Sequence, residues 1–197
     1  MAERVHEDGT VGDWDGRDID GETFRRVLFV DLDLMEIDVR GAVFEECTFR
    51  QVRFNASTHA ESAYLNCTFA GSSFFDASFT SCKMTGSGFE RCDFGLFKVD
   101  GGDWSFVAMP GSDLRGSSFT GVRMREADLT GVRLDGADLR DCDLSAAWLH
   151  RSALTGADLR GTVFSDLDPQ AFDLKGAIIT PQQAVTLAAA LGLEVKP

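Results

Sequence analysis

No stretch of this chain holds eighteen consecutive apolar residues, so no segment reads as a membrane-spanning helix. The polar start, residues 1–11, lacks the basic and apolar regions of a secretory signal, and a cytoplasmic protein is expected. CxxC pairs are missing, as are HExxH, nucleophile-elbow and phosphate-loop patterns, and the three histidines, His6, His59 and His150, lie in unrelated settings. We therefore expect no enzyme: no catalytic residue, no metal site, no cofactor and no small-molecule substrate. Positive charge is also short, with 19 Lys and Arg against 32 Asp and Glu and a formal net charge of −13. That balance disfavours direct binding to nucleic acid or to an anionic membrane and makes a basic protein surface the natural partner. The acid is unevenly spread. Residues 1–46 carry 14 acids and 5 bases, net −9, which leaves 18 acids and 14 bases, net −4, for the rest.

What is present is a period of five. Every fifth residue from Trp14 to Phe164 is apolar or aromatic, with His59 as the one exception, and twelve of the sixteen phenylalanines fall on this series. Early centres are mostly phenylalanine (Phe24, Phe29, Phe44, Phe49, Phe54), and later ones are leucine (Leu129 to Leu159). A second series lies two residues before each centre. From Ala42 to Thr162 it is Ala, Ser, Thr, Val, Cys or Gly throughout, except at Phe97. Each unit of five thus offers two inward positions. A helix would repeat at 3.6 and a strand at 2.0, so the chain must turn a corner in every unit. Glycine two residues after many centres suits such a corner. All five cysteines, Cys47, Cys67, Cys82, Cys92 and Cys142, occupy the small inward series and read as core residues, neither disulfide partners nor ligands. His59 reads as a satisfied core residue. The least regular stretch, Gly95 to Pro110, is where a bulge is expected.

Units such as Ala127-Asp128-Leu129-Thr130-Gly131 and Ala157-Asp158-Leu159-Arg160-Gly161, continued from Trp14 to Phe164, resemble the pentapeptide-repeat family. The resemblance implies an all-β fold, a right-handed quadrilateral β-helix with four units per coil. About eight coils would then stack to roughly 38 Å at ~4.8 Å per layer. Three regions follow: 1–11 as a flexible N-terminal tail, 12–179 as the β-helix, and 180–197 as a C-terminal helix and dimerisation tail. Thr180 and Pro181 suit a helix start and Gly192 an exit.

The non-repetitive end, from Asp168-Pro169 through Leu174-Lys175-Gly176-Ala177 to Gln183-Ala184-Val185 and Leu191-Gly192-Leu193, resembles the quinolone-resistance pentapeptide proteins, typified by mycobacterial members. These imitate DNA and bind type II topoisomerase, notably DNA gyrase, and lower fluoroquinolone susceptibility. The resemblance also implies a homodimer through the C-terminus, for which Phe172, Leu174, Ile178, Ala184, Leu187, Ala188 and Leu191 are the candidates. The helix capping its own chain is the other reading. With four faces, two adjacent ones carry most of the acid, and the candidate partner-binding residues are Asp13, Asp15, Asp18, Asp20, Asp33, Glu36, Asp38, Asp113, Asp135, Asp138 and Asp158. Because a C-terminal dimer would place Asp113, Asp135, Asp138 and Asp158 centrally, the larger loss of binding is expected from reversing those. The competing reading is a structural or interaction repeat protein with a different basic partner.

Overall fold

The structure, a computed structural model, describes residues 5–164 and 168–196. Its elements run β1 (Val5–Glu7), β2 (Thr10–Val11), β3 (Ile19–Asp20), β4 (Thr23–Arg25), β5 (Leu28–Val30), β6 (Asp38–Arg40), β7 (Val43–Glu45), β8 (Thr48–Arg50), β9 (Thr58–Ala60), β10 (Ala63–Leu65), β11 (Thr68–Ala70), β12 (Ser78–Thr80), β13 (Gly88–Glu90), β14 (Lys98–Asp100), β15 (Ser118–Thr120) and α1 (Pro181–Ala190). The strands form three parallel sheets, ordered β1-β4-β7-β10, β2-β5-β8-β11-β13 and β3-β6-β9-β12-β14-β15. A ladder of single bridges, Asp33 to Arg53 to Ser73 to Asp93, makes the fourth side. Partners lie twenty residues apart, as in Phe44↔Tyr64 and Phe79↔Val99, so four units close one coil of a right-handed β-solenoid. The same spacing persists through Asp158↔Ile178, giving about eight coils between Ile19 and Ile178.

The inward positions are those of the two sequence series. Val27, Phe29, Leu32, Leu34, Ile37, Val39, Ala42 and Phe44 are all buried, while Asp31, Asp33, Glu36 and Asp38 between them are exposed. Like residues stack between coils: the rings of Phe29, Phe49, Phe69 and Phe89 follow one another at 4.7 Å and stay within 9° of parallel. Offset stacking of this kind adds to what area burial alone provides. Corners use positive φ. In the Leu134–Ala137 turn the Ala137 N–H donates to the Leu134 carbonyl at 3.0 Å and Gly136 has φ 67°, the left-handed second corner of a type II turn. Strands become single bridges after β15, where Phe, Thr and Val give way to Ala-Asp-Leu units of lower β-propensity.

One expectation is corrected. Residues 5–11 are not a flexible tail, since β1 pairs with β4 and β2 with β5. Their register is eighteen and not twenty (His6↔Phe24, Val11↔Phe29), so His6 and Val11 are centres of a further partial coil whose connection to Trp14 is two residues short. Between Gly95 and Pro110 no residue is inserted, since Lys83↔Asp103, Gly88↔Ala108 and Lys98↔Ser118 keep the register of twenty, but the fourth side is interrupted: its ladder stops at Asp93 and resumes at Asp113↔Arg133, with no bridge between Asp93 and Asp113. Part of the irregularity is absorbed inside. Phe97 fills a small-residue position with its ring while Val99, in the ladder between Phe79 and Phe119, leaves the room for it. Nearby, the backbone at Gly102 (φ 95°) passes so close to the coil before that a Cβ there would drive into the Cys82 carbonyl.

His59 is fully enclosed, with Nδ1 2.7 Å from the Tyr64 hydroxyl and Nε2 2.9 Å from Ser57 Oγ. Burial pushes its pKa down to about 3, so the ring is neutral. The cysteines are free thiols. Cys47, Cys67, Cys82 and Cys142 are buried, each donating to a backbone carbonyl of the coil before, as Cys67 does to Phe44 at 3.4 Å. Burial raises Cys82 and Cys92 to about 11, which keeps them poor nucleophiles.

Candidate interaction surfaces

The acidic candidates fall on two adjacent sides. Asp13, Asp15, Asp33, Glu36, Asp113 and Asp135 belong to the side of the Asp33–Arg53 ladder, and Asp18, Asp20, Asp38, Asp138 and Asp158 to the side of the β3–β15 sheet. Their charge is not equally available. Asp33 meets Arg53 at 2.5 Å, and Asp113 meets both Arg115 at 2.7 Å and Arg133 at 3.4 Å. Asp138 and Asp158 are clasped by Arg140 and Arg160, two residues on in their own units, at 2.6 and 2.5 Å. The hydrogen bond from Arg160, foremost, holds the Asp158 carboxyl below its usual range, and that from Arg115 does the same for Asp113. Asp15 has only a loose pair, 3.8 Å from Arg17. Among the described residues, no lysine or arginine comes within ion-pair distance of Asp13, Asp18, Asp20, Glu36, Asp38 or Asp135. Asp18 instead accepts the Asp38 N–H at 2.9 Å, and Asp38 accepts the Thr58 hydroxyl. Among the candidates, acid without an ion pair is therefore concentrated at the N-terminal end, while Asp113, Asp138 and Asp158 are each paired with arginine.

Sequence reading missed how the N-terminal end closes. His6 stacks on Phe24 at 4.6 Å, and the Arg17 guanidinium lies 4.5 Å over the Trp14 ring, whose indole N–H donates to the Arg17 carbonyl at 2.8 Å. Beneath them Glu22 is buried, bonded by Arg17 and, at 3.0 Å, by His6. Burial alone would raise the Glu22 carboxyl, but the hydrogen bonds from Arg17 and His6 outweigh it and hold the pKa below the ordinary value. A carboxyl depressed in the folded state contributes stability that is present above its unfolded pKa and lost as pH falls through the folded one. Glu22→Gln should thus cost about 1–2 kcal/mol at pH 7. The difference from the parent should shrink to nothing as pH falls below ~4, measured by urea unfolding at each pH.

At the other end, α1 begins with a capping box: Thr180 Oγ1 accepts the Gln183 N–H at 3.2 Å and the Gln183 side-chain oxygen accepts the Thr180 N–H at 2.8 Å. The Gln183 amide nitrogen donates to the Leu159 carbonyl at 2.6 Å and to the Thr162 carbonyl at 2.8 Å. These bonds pin the helix to the coil edge, where the Leu159 carbonyl also accepts the Thr162 N–H at 3.0 Å. Of the dimerisation candidates, Phe172 is buried, Leu174, Leu187 and Ala188 are half-buried, and Ile178, Ala184 and Leu191 are exposed. Val185, Leu193 and Val195 are exposed as well. Among the described residues no group of three or more His, Cys, Asp or Glu could hold a metal ion, and no helix is long and apolar enough to cross a membrane.

A coil of four five-residue units, with paired inward positions and left-handed corners, defines a pentapeptide-repeat solenoid. The family model for pentapeptide repeats matches residues 109–145 and 137–168 in eight copies, and the fold of the chain is that of a pentapeptide-repeat solenoid. Its phenylalanine-rich N-terminal coils lie outside that match and continue the same register. No curated protein matches the chain. Among solved structures it is similar to two trypsin-treated variants of QnrB1, a plasmid-mediated fluoroquinolone resistance protein, with TM-scores of 0.77 and 0.74, 20% identity and 98% of each chain covered. Full-length QnrB1 aligns with a TM-score of 0.52 at 19% identity, over 96% of this chain and 100% of that one. At such identity the likeness is one of fold.

Proposed function

We propose that the protein is a cytoplasmic, non-catalytic DNA mimic that binds DNA gyrase, modulates its activity and lowers fluoroquinolone susceptibility. The observation that carries this reading is a slim rod, with no inserted loop between residues 19 and 164 and with acid arrayed along two adjacent sides. Duplex DNA of ~38 Å carries about 22 charges at one per ~1.7 Å, more than the net −13 here. Charge supplies only part of the affinity, and shape and direct contacts supply the rest. The fold shared with QnrB1, a fluoroquinolone resistance protein, supports the link to fluoroquinolone susceptibility. Pull-down with purified gyrase subunits at two salt concentrations tests the reading: retention at low salt that falls at high salt is expected, and no retention at low salt contradicts it.

The functional unit in this reading is a homodimer joined at the C-terminus, which covers the exposed Leu191, Leu193 and Val195. Since Leu191 and Leu193 are exposed and do not hold α1 to the coils, Leu191→Glu with Leu193→Glu should halve the mass by light scattering and leave the circular dichroism of the coils unchanged. An unchanged mass would mean that the tail joins no second copy.

A further inference from the structure

Halfway along the rod, an apolar patch interrupts the acidic sides. Leu96 occupies a corner position with φ 57° and is 54% exposed. Phe75, in the coil before, is 46% exposed, and its ring lies against Gly95, where a Cβ would meet Phe75 Cδ2 at 2.8 Å and Cε2 at 3.2 Å. The ring therefore covers the backbone beside Leu96, and the two side chains belong to one patch.

Both features run against folding. A left-handed corner suits glycine, and a leucine there is strained without any burial in return. Among the described residues, the other non-glycine residues at positive φ are Asp, Glu, Asn, Gln, Ser, Arg or Ala, with Phe106 the single further exception. Phe106 lies ten residues on, at the diagonally opposite corner and off the acidic sides, and its coil neighbours in the corner column are Gly86 and Glu126. A lone exposed hydrophobe is ordinary, whereas two adjacent ones with strain at one of them are not. Asp76 is the residue one coil before Leu96, and Asp93 accepts the Gly95 N–H at 3.4 Å, with Lys98 paired to Asp76 at 2.8 Å. An apolar centre within an acidic rim has the anatomy of a binding hot spot for a basic protein surface.

Resting on the reading of the protein as a gyrase-binding rod, we infer that Phe75 and Leu96 are the apolar anchor of that contact and insert into a depression on the basic surface of gyrase. Charge brings the rod to its partner; this patch holds it there. Affinity that duplex DNA draws from phosphates is replaced in part by two side chains that DNA lacks.

The test uses the full-length protein with purified gyrase. Leu96→Gly relieves the left-handed strain, so its urea midpoint should rise while its affinity falls about tenfold or more, chiefly through faster dissociation. Phe75→Ser should weaken binding to a similar degree. Phe106→Gly should also raise the midpoint and leave affinity unchanged. Unaltered affinity in Leu96→Gly and Phe75→Ser, with the parent still binding, overturns the anchor and leaves the gyrase reading standing. A parent that fails to bind at all removes both. Concentration-dependent mass in the parent, lost in Leu96→Gly with gyrase affinity intact, would assign the patch to contact between copies and overturn the proposal.

Discussion

Phe97→Ala should cost about 3–5 kcal/mol, because the ring is fully buried and packs against Phe74, Phe79, Phe94, Trp104 and Phe119 at centroid distances of 5.2–6.0 Å. Val99→Phe alone should cost about 1–3 kcal/mol, since the added ring enters a space that Phe97 already fills. Made together, the two changes restore the arrangement of the preceding coil, where Ala77 is the small inward residue and Phe79 the centre. The double variant should therefore be far closer to the parent than the sum of the single costs, with a coupling of about 2 kcal/mol or more, read from urea midpoints. Additive losses would mean that Phe97 and Val99 do not share one volume and that the irregular coil is compensated elsewhere.

The same pair shows what the sequence made legible. Two inward positions per five residues are visible because each unit buries one large and one small side chain, and the structure places both series inside. That the coil has four sides needed the family resemblance, since a period of five is silent about what lies twenty residues away. The first coil escaped notice because its connection to Trp14 is two residues short, which moves His6 and Val11 off the series while leaving them stacked on Phe24 and Phe29. Gln183 was hidden by its surroundings, a polar residue in an apolar helix whose partners are backbone carbonyls from coils more than twenty residues earlier. The neutralised acids were within reach. In Asp-Leu-Arg the first and third side chains emerge on the same side of the backbone, so Asp138–Arg140 and Asp158–Arg160 pair within a single unit.

That pairing reverses the order expected from position alone for charge reversal along the rod. Changing Asp13, Asp15, Asp18 and Asp20 to lysine removes the densest run of acid and shifts the net charge from −13 to −5, eight units for four substitutions. At low salt the loss in gyrase affinity should be roughly a hundredfold, with a shallower dependence of affinity on salt, as for the removal of several phosphate-like contacts. Reversing Asp113, Asp138 and Asp158 acts on carboxylates whose charge arginine already offsets, so the loss should be smaller and the salt slope nearly preserved. Circular dichroism should show intact coils in both, because the substituted side chains point outward. Equal and steep losses from the two groups would place the contact along the whole rod and would mean that the arginines are displaced on binding.

Competition with duplex DNA is the most direct test of mimicry. Gyrase is loaded with a labelled duplex, and the protein is titrated in at low salt. The protein should displace the duplex, excess unlabelled duplex should reverse the effect, and the reversed Asp13–Asp20 variant should require a much higher concentration. A ternary complex, in which gyrase holds the protein and the full complement of duplex together, would contradict mimicry.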